Sequence, residues 1–236
     1  MVGGTETPYP AKSSEILCVT HMDDAKNPTE NQKVALVKQL LENGINSHDD
    51  LIEQLIFTTS TAGGDEFNGL DTLVPTSGQG TVGGVDASVE TWWRNYSDVY
   101  HDATDIESSF TIAANTAMKG SGSALGPKLL VSGATPHALF ESTQQALQRF
   151  IDVKEADAGF KVLAFRTARY IFSQYGGSKV YFLNPRSYKL VFSRQYFRDK
   201  GNTVEIPQMN GFIFKIYSAG QAITNNKSRL AVLDLG

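Results

Sequence analysis

One long helical stripe limits the folds open to this chain. Apolar residues recur at a spacing of three to four over residues 37–56, which is the period of one face of an α-helix. Thr29 and Gln32 form a capping box, in which each side chain can cap a backbone N–H group. Gly44 and Ser47 could divide the stripe, but its phase is unbroken, and this predicts one helix over about 29–59. At 1.5 Å per residue the helix would be roughly 45 Å long.

Shorter elements follow this helix. Asp86 can cap a short helix that carries Trp92 and Trp93, and a second capping box at Thr104–Glu107 precedes another helix. Thr135-Pro136 begins a further helix, because proline suits the first helical position. The helix after Thr104 has an apolar face made of Ile106, Phe110, Ala113, Ala114 and Ala117. The predicted strands are 15–20, 70–74, 128–132, 161–172, 179–184, 188–197, 211–219 and 229–234. Helices first and a mostly antiparallel sheet later indicate an α+β fold.

Composition excludes several classes of protein. No apolar run approaches the roughly 18 residues of a membrane helix, and the polar first residues do not resemble a secretory signal. The single Cys18 excludes an intramolecular disulfide and a cysteine-based zinc site. Its position in EILCV predicts a small buried residue of a strand.

Charge is sorted along the chain. Residues 1–118 contain 5 Lys/Arg and 18 Asp/Glu, whereas residues 149–200 contain 11 Lys/Arg and 4 Asp/Glu. Such sorting often marks a binding surface. The partner could be a nucleic acid, or the acidic part of another copy of the same chain.

The glycines of GQGTVGG (residues 78–84) have the spacing of a dinucleotide-binding turn. That turn should follow a strand directly and open a helix, with an acidic residue at the end of a second apolar strand. Here Pro75-Thr76-Ser77 separates the glycines from the preceding predicted strand, and Asp102 lies in a polar segment. The glycines are therefore predicted to be bends with positive φ, and no nucleotide site is expected.

No catalytic residues, cofactor or metal site are expected elsewhere. The four histidines are far apart and lack metal-ligand spacing. Asp23 and Asp24 follow His21 and could ligate a divalent ion, but a solvated turn is the simpler interpretation. A G-x-S-x-G elbow is absent from the sequence.

Basic and aromatic residues interleave over residues 161–197, as in proteins that bind single-stranded nucleic acid. Arg166 follows Phe165 and Tyr170 follows Arg169, so each pair would lie on opposite faces of a strand. The aromatic residues are then expected in the core, with the arginines exposed. A sheet-based nucleic-acid-binding protein stays open as a minor alternative.

An ordered series of short motifs resembles the major capsid proteins of tailed bacteriophages, which have the Hong Kong 97-type shell fold. No single motif is specific, but their order along residues 15–236 is. The motifs are Phe67–Leu70, Leu73-Val74, Thr81–Asp86, Trp92–Asn95, Val180–Asn184 and Ala222–Arg229.

The resemblance implies a domain organisation. Residues 1–103 would form the peripheral domain, with a spine helix at about 29–59 and a remnant of the E-loop region. Residues 104–206 would form the axial domain, and 207–236 would return to the peripheral domain. Only about 28 residues precede the spine helix. Either the sequence is a fragment or has an aberrant start, or the usual N-terminal arm and part of the E-loop are reduced.

The resemblance also implies the functional residues. Gly83 and Gly84 would form a bend of the peripheral domain, and Trp92 and Trp93 would anchor the chain after it. The candidate contacts between subunits are Arg166, Arg169, Arg186, Arg194 and Arg198.

The function implied is that of a structural shell protein rather than an enzyme. Copies would assemble as hexamers and pentamers into an icosahedral head, formed in the host bacterial cytoplasm and present in the virion. The head would contain double-stranded DNA without sequence-specific binding, and scaffolding, portal and decoration proteins are further expected partners. The alternative of the same fold is an encapsulin, a shell that encloses a cargo protein.

Overall fold

The computed structural model describes residues 11–20, 30–59, 67–119, 126–147, 163–202, 204–206 and 211–236. This part of the chain contains four α-helices and thirteen strands. The helices are α1 (Glu30–Phe57), α2 (Leu70–Leu73), α3 (Ile106–Ala117) and α4 (Ala134–Leu147). The strands are β1 (Ala11–Thr20), β2 (Thr81–Val82), β3 (Val85–Asp86), β4 (Tyr96–Tyr100), β5 (Leu129–Ser132), β6 (Leu163–Phe165), β7 (Ala168–Phe172), β8 (Val180–Leu183), β9 (Tyr188–Phe192), β10 (Asp199–Lys200), β11 (Val204–Ile206), β12 (Gly211–Thr224) and β13 (Ala231–Leu235).

The predicted long helix is confirmed as α1, which runs without a break for 28 residues. Gly44 and Ser47 do not divide it, and the Gly44 position is buried. The capping residue Thr29 lies outside the described residues, as do the candidate ligands His21, Asp23 and Asp24.

A five-stranded antiparallel sheet is arranged around the long strand β12. On one edge β1 pairs with it over ten residues, from Ala11 opposite Gly220 to Thr20 opposite Gly211. On the other edge β11, β10 and β9 pair with successive parts of β12. Strand β1 includes the predicted strand that carries Cys18 but begins four residues earlier, because β12 continues as its pairing partner.

A six-stranded sheet has the order β4-β13-β8-β5-β7-β6. The β4–β13 and β5–β7 pairs are parallel and the other three pairs are antiparallel, so this sheet is mixed, with most of its pairs antiparallel as predicted. The parallel β5–β7 pair has a physical cause. Strand β6 lies between the two in sequence and runs antiparallel to β7, so the tight β6–β7 hairpin reverses the chain and makes β7 parallel to β5.

Two predicted strands prove to be other structures. Within the predicted strand 161–172, the described residues 163–172 form a hairpin, because Arg166 has a φ of 56° and turns the chain so that Phe165 pairs with Ala168. The predicted strand 70–74 contains the single-turn helix α2. Leu70, Leu73 and Val74 are all buried, and their spacing of three and four places them on one helical face.

Helix α3 has the predicted apolar face, and all five of its residues are buried. The predicted capping box is wrong. The Thr104 hydroxyl donates to Asp102 (2.5 Å), and the Asp105 carboxylate accepts from the backbone N–H groups of His101 and Asp102. These bonds all involve the backbone and side chains before the helix, and its N-cap residue Asp105 makes no side-chain capping bond.

The central strands of the six-stranded sheet are buried on both faces. In β8, Val180 and Phe182 face a core formed with α3 and α4, whereas Tyr181 and Leu183 face a second core formed with α2 and the end of α1. Strand β13 alternates in the same way. Phe110 stacks on Phe140 at 5.0 Å between ring centroids in the first core. The two cores therefore place helices on both sides of one sheet.

Candidate assembly surfaces

The glycine run forms a hairpin turn. Gly78, Gly80, Gly83 and Gly84 all have positive φ, as predicted, and Gly83-Gly84 connect β2 to β3. A helix does not follow them, so the strand–turn–helix geometry of a dinucleotide site is missing from this described segment. At Gly78 an added Cβ would lie 3.1 Å from the carbonyl oxygen of Asn95, which adds a steric reason for glycine.

A buried lysine holds this turn in place. The Lys227 side chain is fully buried, and its Nζ donates to the carbonyl oxygen of Gln79 at 2.5 Å. Burial lowers the pKa of the Lys227 ammonium from 10.5 to about 8, and the charge of Asp86 opposes that shift. Sequence reasoning did not single out Lys227, because a lysine in the polar run NNKSR has the signature of an exposed residue.

The two adjacent tryptophans differ in their environments. Trp93 is buried, with 1% of its surface exposed, whereas Trp92 is 43% exposed. Their rings meet edge to face at 5.4 Å. The Trp92 Nε1–H donates to the Glu90 carboxylate at 2.5 Å, which holds the exposed indole in one position. Of the pair, Trp93 has the burial of a packing anchor, and Trp92 belongs to the surface.

Polar contacts fix the segment before the tryptophans. The Asp86 carboxylate accepts from the backbone N–H and the hydroxyl of Ser88, at 2.8 and 2.7 Å, and these bonds lower the pKa of Asp86. Asp86 therefore caps its own turn and not the 3₁₀ turn Thr91–Trp93, which corrects the prediction. The Arg94 guanidinium donates to the carbonyl oxygens of Ala87 and Ser88, at 2.8 and 3.0 Å.

The five candidate arginines are all exposed, but they do not form one group. Arg166 and Arg169 lie at the β6–β7 edge of the six-stranded sheet, whereas Arg186 follows β8. Arg194 and Arg198 lie between β9 and β10. The structure thus distributes them over separate parts of the surface.

Arg198 already has an ion-pair partner within its own chain. Its guanidinium donates twice to the Asp49 carboxylate of α1, at 2.9 and 2.5 Å, and its φ is 52°. The Arg198 backbone N–H donates to the Ser218 hydroxyl at 2.9 Å, and this hydroxyl lies 2.8 Å from Nε2 of the buried His48. These contacts bind the middle of α1 to the five-stranded sheet.

The same part of α1 also contacts the six-stranded sheet. The Tyr175 hydroxyl donates to the Asp50 carboxylate at 2.7 Å, and the Ser173 hydroxyl donates to the Glu53 carboxylate at 2.5 Å. Helix α1 therefore links the two sheets through carboxylates on adjacent turns.

A cluster of metal-ligating side chains is not found in the described part of the chain. Among those residues, no three His, Cys, Asp or Glu side chains come together as a metal site would require. The helices found there are too short or too polar to span a membrane.

Lys227 makes stability depend on pH. In the folded chain its proton is lost at about pH 8, but in the unfolded chain only near pH 10.5. Between these values the unfolded state binds more protons, so the free energy of unfolding should rise with pH. Relative to Lys227→Met, the natural chain should gain roughly 2–3 kcal/mol between pH 8 and 10. Urea unfolding of both proteins at several pH values measures this, and parallel pH profiles would contradict it.

Comparison with known proteins identifies the fold. No protein-family model matches the chain, and no curated protein matches its sequence. Solved structures do match. The SrpI encapsulin from Synechococcus elongatus PCC 7942 has a TM-score of 0.63 at 12% identity, over 95% of this chain and 73% of that one.

Two phage capsids match almost as well. The capsid of Myoviridae phage XM1 has a TM-score of 0.59 at 11% identity, over 97% of this chain and 74% of that one. The capsid of cyanophage A-1(L) has a TM-score of 0.59 at 12% identity, over 96% and 77%. At sequence identities this low, the structural likeness establishes the fold alone. The chain has the Hong Kong 97-type shell fold that phage capsid proteins and encapsulins share.

Proposed function

We propose that this chain is the major shell protein of a tailed-bacteriophage head. The observation that carries the proposal is the likeness of almost the whole chain to subunits of closed protein shells. The ordered series of motifs favours the phage branch of that fold. Hexamers and pentamers of the chain would form the icosahedral head, and its role would be structural rather than enzymatic.

The two sheets suggest the domains of this subunit. The six-stranded sheet with α3 and α4 would be the axial domain, and the five-stranded sheet with α1 the peripheral domain. On this assignment β9, β10 and β11 join the peripheral sheet, whereas β4 and β13 join the axial one. The limits 104–206 and 207–236 would then move, because the chain passes between the two sheets more often than those limits allow.

Electrostatic attraction between copies would help the shell to form. Arg186 and Arg194 are exposed and lie in the basic region 149–200, so they could face the acidic region 1–118 of a neighbour. Complementary charges of this kind mainly steer association and fix its register. Arg198 contributes less on this view, since Asp49 already pairs with it.

The net charge of −4 suits containment of DNA rather than tight binding. Tight binding of DNA requires a basic surface that neutralises the charge of its phosphates. Tyr170, Tyr181 and Phe182 are buried, so they are not placed to stack on nucleotide bases, whereas Phe172 is 60% exposed, contrary to the expectation that the aromatic residues lie in the core. This weakens the nucleic-acid-binding alternative.

The finished location would be the virion, after assembly in the host cytoplasm with scaffolding, portal and decoration proteins as partners.

The encapsulin alternative is supported by the TM-score of 0.63 to SrpI encapsulin. The contents of native particles distinguish the two. Particles purified from the source culture by density should contain peptides of this chain together with nuclease-protected DNA. Particles filled with a second protein and free of DNA would favour the encapsulin.

Self-assembly is the first testable consequence. The purified chain should elute early from a size-exclusion column, and negative-stain microscopy of that peak should show closed particles or rings. A subunit that buries the large interfaces of an obligate assembly should leave little monomer at micromolar concentration. A chain that stays monomeric at every concentration and salt tested would contradict the proposal.

The charged contact has a separate test. The double variant Arg186→Gln/Arg194→Gln should assemble several-fold more slowly than the natural chain at low salt, and nearly as fast at high salt, because salt screens the attraction. Light scattering measures both rates. The control is Lys38→Gln/Lys119→Gln, which removes the same charge from outside the basic region. Equal slowing in both variants would contradict a specific role for the arginines.

A further inference from the structure

Trp92 is held in an exposed position on a turn that other contacts fix in place. We call residues 88–92 the Trp92 knob. Within it, Val89 is 74% exposed and Trp92 is 43% exposed. The Glu90 carboxylate holds the indole from one side, the Trp93 ring packs against it, and Arg94 ties the backbone at Ser88. An aromatic side chain that is fixed before binding is typical of the residues that dominate interfaces.

A cavity of about 580 Å³ lies elsewhere on the six-stranded sheet, between the end of α3 and the β6–β7 turn. Its volume is within the range of ligand pockets, and apolar side chains form much of its wall. The cationic side chains of Lys128 and Arg166 border it, and we therefore call it the basic cavity. The main lining residues are Ala114, Met118, Leu130, Phe165, Lys128 and Arg166.

Both cations of the basic cavity are held in position. The Lys128 Nζ donates to the Thr167 hydroxyl at 2.9 Å, and an Arg166 nitrogen donates to the Asn115 side-chain oxygen at 2.7 Å. The Arg166 guanidinium also lies 5.4 Å from the centre of the Phe165 ring. Among the described residues that line the cavity, none carries a carboxylate. The cavity thus suits an apolar group accompanied by a negative charge.

The Trp92 knob has that chemistry. Its indole is apolar and its Glu90 carboxylate is exposed, while the nearby Arg94 guanidinium is turned toward backbone carbonyls. The knob and the cavity therefore complement each other in charge and polarity.

The two sites lie at opposite edges of the same sheet. The knob leads into β4, the first strand in the sheet order, whereas the cavity is next to β6, the last. Because the cavity extends from β6 to Leu130 of β5, three to five strand spacings of about 4.8 Å, roughly 14–24 Å, separate it from β4. A knob cannot fill the cavity of its own chain across that distance, but it can fill that of the next copy.

We infer that the Trp92 knob of one copy inserts into the basic cavity of the next copy. The contact is head-to-tail, because each copy presents both parts at opposite edges. Head-to-tail contacts close into rings when the rotation between copies permits. This inference rests on the proposed function, since it names the contact that would hold copies together within a hexamer or pentamer.

Disulfide trapping tests the contact. In a Cys18→Ser background, Ser88→Cys and Thr167→Cys place one thiol on the knob and one beside the cavity. They leave Trp92, Glu90 and Arg166 unchanged, and the Thr167→Cys sulfur replaces the hydroxyl as a weaker acceptor for Lys128. Mild oxidation of assembled particles should give a ladder of covalent oligomers that extends past the dimer to pentamer and hexamer. The matched control pairs Ser88→Cys with Ser142→Cys, an exposed serine of α4, and should give no ladder.

The outcomes separate the two claims. Particles that form but give no ladder would overturn the knob–cavity contact and leave the shell function intact. Dimers alone would overturn the head-to-tail arrangement, because a reciprocal contact stops at two copies. A parent chain that never assembles would overturn both claims.

Removal of the indole gives an independent measurement. Trp92→Ala should reduce the assembled fraction at least about tenfold, as expected for an interface anchor. Tyr196→Ala removes another exposed aromatic residue, one 40% exposed, and should change assembly less than about twofold. Equal effects of the two substitutions, with circular dichroism unchanged, would overturn the role of Trp92.

Discussion

Burial of β5, β8 and β13 on both faces is the constraint on which the rest of the structure depends. Side chains alternate along a strand, so each of these strands supplies both cores. Tyr181 and Val180 are adjacent, yet they belong to opposite cores. A strand buried in this way needs cover on both faces, because exposure of either would leave large apolar side chains in water. Helices α3 and α4 cover one face, and α2 with the end of α1 covers the other. The long helix is thereby attached to the sheet by its last turn.

The middle of α1 extends this arrangement to the second sheet. Asp49 and His48 contact the five-stranded sheet through Arg198 and Ser218, and Glu53 contacts the six-stranded sheet through Ser173. The helix thus connects the two sheets. Apolar packing holds it at one end, and polar pairs hold it at its centre. Partly exposed pairs contribute little each, so their main effect is to fix the orientation of the helix. A shell subunit needs such fixed geometry, because errors in orientation add up around a closed surface.

The sequence predicted what depends on local pattern. Periodicity alone located α1 and the buried face of α3, and the glycine bends followed from steric requirements. Other features depend on distant contacts. A five-residue run such as Leu70–Val74 fits a helical turn or a strand, and packing decides between them. The burial of Lys227 and the contrast between Trp92 and Trp93 could not be predicted, because neighbours far away in sequence determine both. With identities of 11–12% to the solved shells, the motif order was more informative than any single residue.

The two cores fix the surface through which copies of the chain would close into a shell. Charge-detection mass spectrometry of the assembled protein tests that claim most directly. A closed shell should give a few discrete masses, each a multiple of the 25.7 kDa chain that an icosahedral arrangement allows. A continuous mass distribution, as open filaments or aggregates would give, would contradict it.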